Sequence, residues 1–267
     1  MDWLEAVILG LLQGLTEFLP VSSSGHLELG KAILGTDIKE NMSFTVVVHG
    51  ATVLSTIVVF RKDLLTLIRG LFQFRWNEET RYIAKILLSM IPVGIVGVLL
   101  KDEVKSFFSG ENLTLVGLML VVTAAFLSFT YFFKDRDKTV SFASAFIIGI
   151  AQAVAVLPGI SRSGATIATG LILGNKRELV AKFSFLMVLI PIIGENLLDI
   201  SSGEFTAEAG PGIAPLLIGF VVAFVTGLIA CKWMIGIVKK GRLIYFAIYC
   251  FIVGIITVLI SQGIISF

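Results

Sequence analysis

Charge is scarce in this chain: Asp, Glu, Lys and Arg make up only 15% of its 267 residues, and hydrophobic residues make up 56%. Soluble domains carry about 25% charged residues. With a mean hydropathy of +0.96, the apolar surface is too extensive to be buried in one water-soluble core. The composition therefore excludes a soluble protein and predicts an integral membrane protein.

Cysteine is scarce as well, and basic residues are missing near the N-terminus. Cys231 and Cys250 are the only cysteines and lie in separate apolar runs, so neither a disulfide framework nor a thiolate metal site is predicted. No Lys or Arg precedes Lys31, unlike the basic leader of a signal peptide, so we expect the first segment to be retained. The net charge of +2 gives no indication of nucleic-acid binding.

Long apolar runs predict the membrane spans. A helix of about 20 residues crosses the hydrocarbon layer, and six runs approach or exceed that length, the last of them interrupted by Pro191, Glu195 and Asp199. The runs are residues 42–60, 82–100, 113–133, 215–238, 243–267 and 182–200. The predicted fold class is an all-α integral membrane protein with six transmembrane helices.

Two further apolar regions, residues 3–35 and 139–174, are broken in the middle by proline and polar residues. Each half is too short to span a bilayer, which predicts two re-entrant helical hairpins. The two regions also resemble each other, so we expect an internal repeat within a single membrane domain of residues 1–267, with copies at about 1–133 and 139–267. The matching residues are Gln13, Pro20, Ser24 and Gly25 in the first copy and Gln152, Pro158, Ser163 and Gly164 in the second.

Basic residues are distributed unequally about this arrangement. With six spans and two hairpins, sixteen Lys and Arg residues fall on one side of the membrane and four on the other. Basic residues accumulate on the cytoplasmic side, so Arg75 and Lys134 are predicted to be cytoplasmic, with both termini and residues 201–211 outside. The two hairpins would then enter from opposite sides as an inverted-topology repeat and meet near the bilayer midplane.

The first hairpin carries a carboxylate. Gln13 and Glu17 are spaced i, i+4 and so share one helix face. A carboxylate inside a membrane is costly unless it is paired, protonated or bound to a cation, so Glu17 is predicted to be functional. Gln13 either supports Glu17 or forms a hydrogen bond between helices.

Hydroxyl groups and one guanidinium surround the two breaks. A helix N-terminus has free N–H groups and a partial positive charge that suit phosphate or carboxylate, although a serine there can equally serve as a helix cap. Arg162 is the only Lys or Arg in either break. Its planar fork suits two oxygens of one phosphate, and the alternative is a buried ion pair with Glu17. The serines at the breaks are Ser22, Ser23, Ser24, Ser161 and Ser163.

The chain has two histidines, and both are candidates for the site. His26 lies three residues after Ser23, where it could exchange a proton with a hydroxyl or with a leaving phosphate. His49 is predicted to lie about 10 Å along its helix from residue 42. It therefore either faces the site or forms an interhelical hydrogen bond.

The two breaks carry the motifs QGLTEFLPVSSSGH (residues 13–26) and PGISRSGAT (residues 158–166). They resemble the two signature motifs of the bacterial undecaprenyl-diphosphate phosphatases, the BacA/UppP family of bacitracin-resistance proteins. The stretch FSFLM (residues 183–187) extends the resemblance over essentially the whole chain. The family motif begins with Glu or Gln, and Gln13 in this chain leaves Glu17 as the only carboxylate of the motif, which argues against a two-carboxylate mechanism.

The resemblance implies hydrolysis of undecaprenyl diphosphate to undecaprenyl phosphate and inorganic phosphate in the bacterial cytoplasmic (inner) membrane. This reaction recycles the carrier lipid for peptidoglycan synthesis and confers bacitracin resistance. The resemblance also implies a divalent cation, Mg²⁺ or Ca²⁺, near Glu17, and a polyprenyl diphosphate lipid as the partner in the bilayer; a homodimer is considered, but no sequence feature selects it. Motif by motif, the resemblance implies roles for Glu17, Ser23, His26, Ser161, Arg162, Ser163 and Thr166. Together with the helix-terminus argument, the predicted catalytic residues are Glu17, Ser23, His26 and Arg162, and the predicted phosphate-binding residues are Ser22, Ser24, Ser161, Arg162, Ser163, Gly164 and Thr166.

Several mechanisms fit these residues. Ser23 is the favoured nucleophile, with His26 taking and returning its proton, while attack by water or by His26 itself stays open. The other lipid phosphatase superfamily uses a second histidine as nucleophile, and no histidine follows Arg162. A transporter or flippase for a phosphorylated lipid is the stronger alternative, because inverted repeats with broken helices are common in transporters. It would need an anion site but no nucleophile.

Overall fold

The computed structural model describes residues 1–34, 42–100, 113–133, 137–201 and 212–264. In these ranges the regular structure consists of twelve α-helices, a 3-10 turn at Thr130–Phe132 and one backbone bridge between Lys138 and Asn175. The all-α class is thereby confirmed. The helices are α1 (Trp3–Thr16), α2 (Ser23–Leu34), α3 (Met42–Val59), α4 (Arg61–Leu71), α5 (Glu78–Leu99), α6 (Leu113–Phe129), α7 (Phe142–Val154), α8 (Arg162–Ile172), α9 (Arg177–Met187), α10 (Leu189–Ser201), α11 (Ile213–Lys239) and α12 (Ile244–Ser261).

Four helices of the described part are long and apolar enough to cross a bilayer: α5, α11, α12, and α6 with its 3-10 extension. A fifth crossing results if α3 and α4, which are bent by 75° relative to each other, form one broken span. The sixth predicted run, residues 182–200, is divided between α9 and α10. The chain is thus a multi-pass membrane protein, and the count of six spans stays a prediction.

Both broken regions form two short helices on either side of a proline. Helices α1 and α2 flank Pro20, and α7 and α8 flank Pro158. Proline has no N–H to donate and disfavours the helical conformation in the residue before it. The first helices of the two regions have 14 and 13 residues and are too short to span a bilayer. Of the basic residues counted in the charge argument, five lie outside the described ranges: Lys39, Lys101, Lys105, Lys134 and Arg136.

Helices from the two halves of the chain pack in matching pairs. Helix α1 lies along α11, and α7 lies along α5, so the first helix of each broken region packs on a long helix of the other half. Helices α6 and α12 meet at Gly117 and Gly254. A Cβ on Gly117 would lie 2.8 Å from the Gly254 oxygen, and one on Gly254 would lie 2.7 Å from the Gly117 oxygen. Only glycine permits this reciprocal approach of two backbones.

The largest apolar cluster lies directly beside the first break. Phe18, Phe183 and Met187 are almost completely buried, and the ring centroids of Phe18 and Phe185 lie 5.9 Å apart. This packing fixes the backbone on both sides of a polar space. The residue before Phe18 is Glu17, and the residue between the two phenylalanines of α9 is Ser184.

Candidate active site

Ser22 and Ser161 precede the half-helices α2 and α8, and the hydroxyl of each accepts a hydrogen bond from the backbone N–H three residues later. The Ser161 hydroxyl accepts a hydrogen bond from the backbone N–H of Gly164 at 3.0 Å. The Ser22 hydroxyl accepts one from the N–H of Gly25 at 3.3 Å. Ser22 has a φ of 72°, a left-handed conformation that is uncommon for residues other than glycine. Both hydroxyls therefore serve as helix caps, the alternative to phosphate binding that the sequence left open.

The two broken regions contact each other. Within each cap a second serine pairs with the first, Ser22 with Ser24 at 3.3 Å and Ser161 with Ser163 at 3.2 Å. The Ser163 hydroxyl also donates to the carbonyl oxygen of Leu19 at 3.3 Å. The serine clusters thus repeat one hydrogen-bond pattern, and the second is joined to the loop that precedes the first.

Glu17 lies at the centre of this contact. Its Oε1 accepts a hydrogen bond from Nη2 of Arg162 at 3.0 Å, and its Oε2 accepts from Oγ of Ser23 at 2.7 Å and from Nε2 of Gln13 at 2.9 Å. The Nε2 of His49 lies 3.9 Å from Oε2. The carboxylate is only 8% exposed, a costly burial that these donors offset. Four helices, α1, α2, α3 and α8, contribute to the cluster.

Arg162 forms the ion pair with Glu17 that the sequence left as the alternative to phosphate binding. The two roles are compatible, because a guanidinium has five N–H donors and the bond to Glu17 uses one of them. The Arg162 side chain is 24% exposed and lines the cleft beside the pair. Its remaining donors are therefore available to an anion.

His26 is not hydrogen-bonded to Ser23. Its Nδ1 lies 2.8 Å from the carbonyl oxygen of Ser22, and its Nε2 lies 2.8 Å from the hydroxyl of Tyr249. Because a carbonyl oxygen only accepts, Nδ1 carries the proton, and Nε2 of the neutral ring accepts from Tyr249. The first turn of α2 directs the imidazole back to its own N-terminus and towards α12. The Ser23 hydroxyl donates to Glu17 instead.

A cleft adjoins the Glu17–Arg162 pair. Both polar and apolar residues line it, a composition that suits an amphiphilic anion. The polar residues are Glu17, Thr52, Thr56, Gln152, Arg162, Ser163, Thr166 and Ser184, and the apolar ones are Phe18, Val53, Phe185, Val188 and Ile192. The Thr166 hydroxyl donates to the carbonyl oxygen of Arg162 at 2.8 Å and also contacts Ser184.

Known proteins resemble this chain over nearly its whole length. The family model described as bacitracin resistance protein BacA matches residues 6–256. Proteins named undecaprenyl-diphosphatase from Bacteroides fragilis and Parabacteroides distasonis are 59% and 58% identical over 266 and 262 residues, which cover 98% and 97% of this chain and 99% and 98% of theirs. One from Methanosphaera stadtmanae is 38% identical over 283 residues, covering 98% of this chain and 99% of its own. This chain belongs to the BacA family.

Several residues of this BacA site were not predicted from the sequence. Ser184 lies in the FSFLM stretch, and Gln152 is the repeat partner of Gln13, so both had a signal that pointed to them. Thr52 and Thr56 are unremarkable hydroxyls in an apolar run. Tyr249 lies in a uniformly apolar helix, 223 residues from His26, and no local pattern connects the two.

Oxygen ligands for a divalent cation are available at one point of this BacA site. Mg²⁺ is usually bound by one or two carboxylates together with substrate phosphates. The Oε1 of Gln13 is buried without a hydrogen-bond partner, and Nε2 of the same amide donates to Glu17. In the described ranges, no three His, Cys, Asp or Glu side chains form a metal-binding group. Gln13 and Glu17 are the residues that could hold a cation together with phosphate oxygens of a ligand, provided that the Gln13 amide turns its Oε1 towards the carboxylate.

Proposed function

We propose that this chain hydrolyses undecaprenyl diphosphate to undecaprenyl phosphate and inorganic phosphate. The observation that carries the proposal is the buried Glu17–Arg162 pair beside a cleft lined with hydroxyl groups. Relatives that match the whole chain are named undecaprenyl-diphosphatase, which supports the substrate. The product would return to peptidoglycan synthesis as the carrier lipid, and this recycling would account for the bacitracin resistance that the family is named for.

Ser23 is the proposed nucleophile. Its Oγ would attack the terminal phosphorus, its proton would pass to Oε2 of Glu17, 2.7 Å away, and the anhydride P–O bond would break with its electron pair leaving on undecaprenyl phosphate. Water would then hydrolyse the Ser23 phosphoester, releasing inorganic phosphate and restoring the hydroxyl. The hydrogen bond supports Glu17 rather than His26 as the first proton acceptor. His26 would position the Ser22 carbonyl at the start of α2.

The charge of the diphosphate is the other requirement of the reaction. Arg162 at the N-terminus of α8 would stabilise the charge on the transferring phosphate. A divalent cation, Mg²⁺ or Ca²⁺, held by Gln13 and Glu17, would neutralise part of the remaining charge. The apolar residues of the cleft would contact the first part of the prenyl chain.

Phosphate release in detergent tests this function. The purified protein should release inorganic phosphate from undecaprenyl diphosphate, and EDTA should stop the release until Mg²⁺ or Ca²⁺ is restored. A transporter or flippase moves its lipid between the two sides of a bilayer and would release no phosphate in detergent. Binding of the substrate without phosphate release would overturn the proposed hydrolase.

We also propose that the protein lies in the bacterial cytoplasmic membrane as an inverted-topology repeat with six spans and two re-entrant hairpins. The copies would comprise residues of about 1–133 and 139–267. Three features support this arrangement: the crossed packing of α1 on α11 and of α7 on α5, the reciprocal contact of Gly117 with Gly254, and the matching serine caps.

Cysteine labelling of intact cells tests the orientation, which places both termini and residues 201–211 outside. Residues 202–211 lie beyond the described ranges. In a background with Cys231→Ala and Cys250→Ala, a cysteine replacing Ala207 should react with a membrane-impermeant thiol reagent, and one replacing Arg75 should react only after lysis. Arg75 is exposed, so lack of labelling there would report sidedness rather than burial. Labelling of position 75 but not of position 207 would reverse the topology.

Arg162→Lys should keep the fold and lower kcat by on the order of 10²-fold. The ammonium still pairs with Glu17, but it cannot reproduce the planar fork that would hold two phosphate oxygens. Arg81→Lys, at an exposed position of α5, is the matched control and should leave kcat unchanged. Near-normal turnover of Arg162→Lys would contradict two-oxygen binding, and loss of expression together with a lower Tm would indicate a structural role.

A further inference from the structure

Gln152 presents an unused polar group to the cleft. It lies in the last turn of α7, is 1% exposed, and lines the cleft together with Arg162, Ser163 and Thr166. Its Oε1 has no hydrogen-bond partner, and its Nε2 contacts the Sδ of Met90 at 3.9 Å. A thioether sulfur is a weak acceptor. Neither end of this buried amide is therefore satisfied by a strong partner within the described protein.

Such an arrangement is costly for the substrate-free protein. A buried polar atom that loses its hydrogen bonds to water and gains none destabilises the fold, whereas an apolar side chain of the same shape would not. Packing alone would favour methionine or leucine at position 152. A ligand in the cleft that accepts a hydrogen bond from Nε2, in place of the weak contact with Met90, would offset part of this cost and explain why an amide stands here.

The repeat indicates what that partner is. In the first half of the chain, Gln13 donates through Nε2 to the carboxylate of Glu17, four residues later. In the second half, the residue four positions after Gln152 is Val156. The protein thus supplies an anion to the first glutamine and none to the second, although the second faces the cleft that contains Arg162.

We propose that the side-chain amide of Gln152 binds the substrate, with Nε2 donating to a phosphate oxygen of the diphosphate. Phosphate oxygens offer acceptors, so the NH2 end of the amide must face them. The contact with Met90 is weak and does not prevent the amide from turning. Each glutamine of the repeat then donates to an anion, a carboxylate in the first half and phosphate in the second. The inference rests on the proposed hydrolase function and adds a substrate-binding residue to it.

Gln152→Met is the decisive variant because it keeps the size of the side chain and removes the amide. KM for undecaprenyl diphosphate should rise by about tenfold or more, the expected loss of one hydrogen bond to a charged group, with a smaller change in kcat. The Tm of the substrate-free protein should stay the same or rise. A packing role predicts the reverse, a lower Tm with an unchanged KM, and that result, or failure of the variant to fold, would overturn the inference.

Gln152→Glu tests the direction of the hydrogen bond. It keeps the shape and the acceptor oxygens, loses the donor and adds a negative charge, so it should weaken substrate binding more than Gln152→Met does. A Glu variant with a normal KM would overturn the donor assignment.

Inorganic diphosphate separates this inference from the proposed function. It should raise the Tm of the wild type more than that of Gln152→Met, whether or not the protein hydrolyses the lipid. Equal shifts would contradict phosphate binding by Gln152. Absence of phosphate release by the wild type would contradict the hydrolase function alone.

Discussion

Ser23→Ala should lower kcat by at least about 10³-fold and leave a folded protein that still binds its substrate. The change removes the proposed nucleophile, whose hydroxyl donates to Oε2 of Glu17 at 2.7 Å, and opens no large cavity. Gln13 and Arg162 still donate to the carboxylate, so the Tm should change little. Phosphate release measures the turnover, and the rise of Tm with added substrate measures binding.

Ser55→Ala is the matched control. Ser55 is also a buried serine, but its hydroxyl donates to the carbonyl oxygens of Ala51 and Phe224 rather than to Glu17. Its replacement should lower the Tm and keep the turnover.

Wild-type protein quenched with acid during turnover should carry phosphate on Ser23, detectable by mass spectrometry. If Ser23→Ala retains more than about a tenth of the wild-type rate, attack by water or by His26 is the better mechanism.

The helix breaks at Pro20 and Pro158 could be predicted because proline acts on its own helix. The bend between α3 and α4 could not be predicted from the sequence, because the residues around Phe60 include neither proline nor glycine. After the bend, Asp63 of α4 forms an ion pair with Lys182 of α9, a contact between residues far apart in the chain. Local hydrophobic periodicity does not contain such information, so the run of residues 42–60 gave the span but not the turn after it.

In the candidate site, too, contacts within one helix follow from residue spacing, whereas contacts that depend on the folded backbone do not. Gln13 and Glu17 share a helix face because of their spacing, and their hydrogen bond is one of the two roles that the sequence left open for Gln13. The partner of Ser23 depends on the left-handed backbone of Ser22, which a run of three serines does not reveal. Spacing alone therefore suggested His26 as the neighbour of Ser23, whereas the folded backbone turns the hydroxyl to Glu17.

Glu17→Gln should lower kcat by about 10²- to 10⁴-fold, the range expected for loss of a general base. The change keeps the shape of the side chain, but an amide oxygen does not take up the proton of Ser23. At saturating Mg²⁺, KM should stay the same or fall, because Arg162 is released from its ion pair and has all of its donors available for phosphate. The Mg²⁺ concentration needed for half-maximal turnover should rise, because Glu17 is also a proposed ligand of the cation. A lower kcat with an unchanged or lower KM is the result expected if Glu17 acts on the reaction rather than on substrate binding.

Thermal unfolding of Glu17→Gln gives a second, independent readout. Without a ligand, the variant leaves the partly buried guanidinium of Arg162 without a counter-charge, so its Tm should fall. Inorganic diphosphate should raise the Tm of the variant more than that of the wild type, because the anion takes the place of the carboxylate. Glu178→Gln, which removes the 52% exposed partner of Lys239, should change neither kcat nor this response. If inorganic diphosphate raises the Tm of wild type and of Glu17→Gln equally, the anion does not bind at Arg162. A kcat of Glu17→Gln within about tenfold of wild type would exclude Glu17 as the proton acceptor.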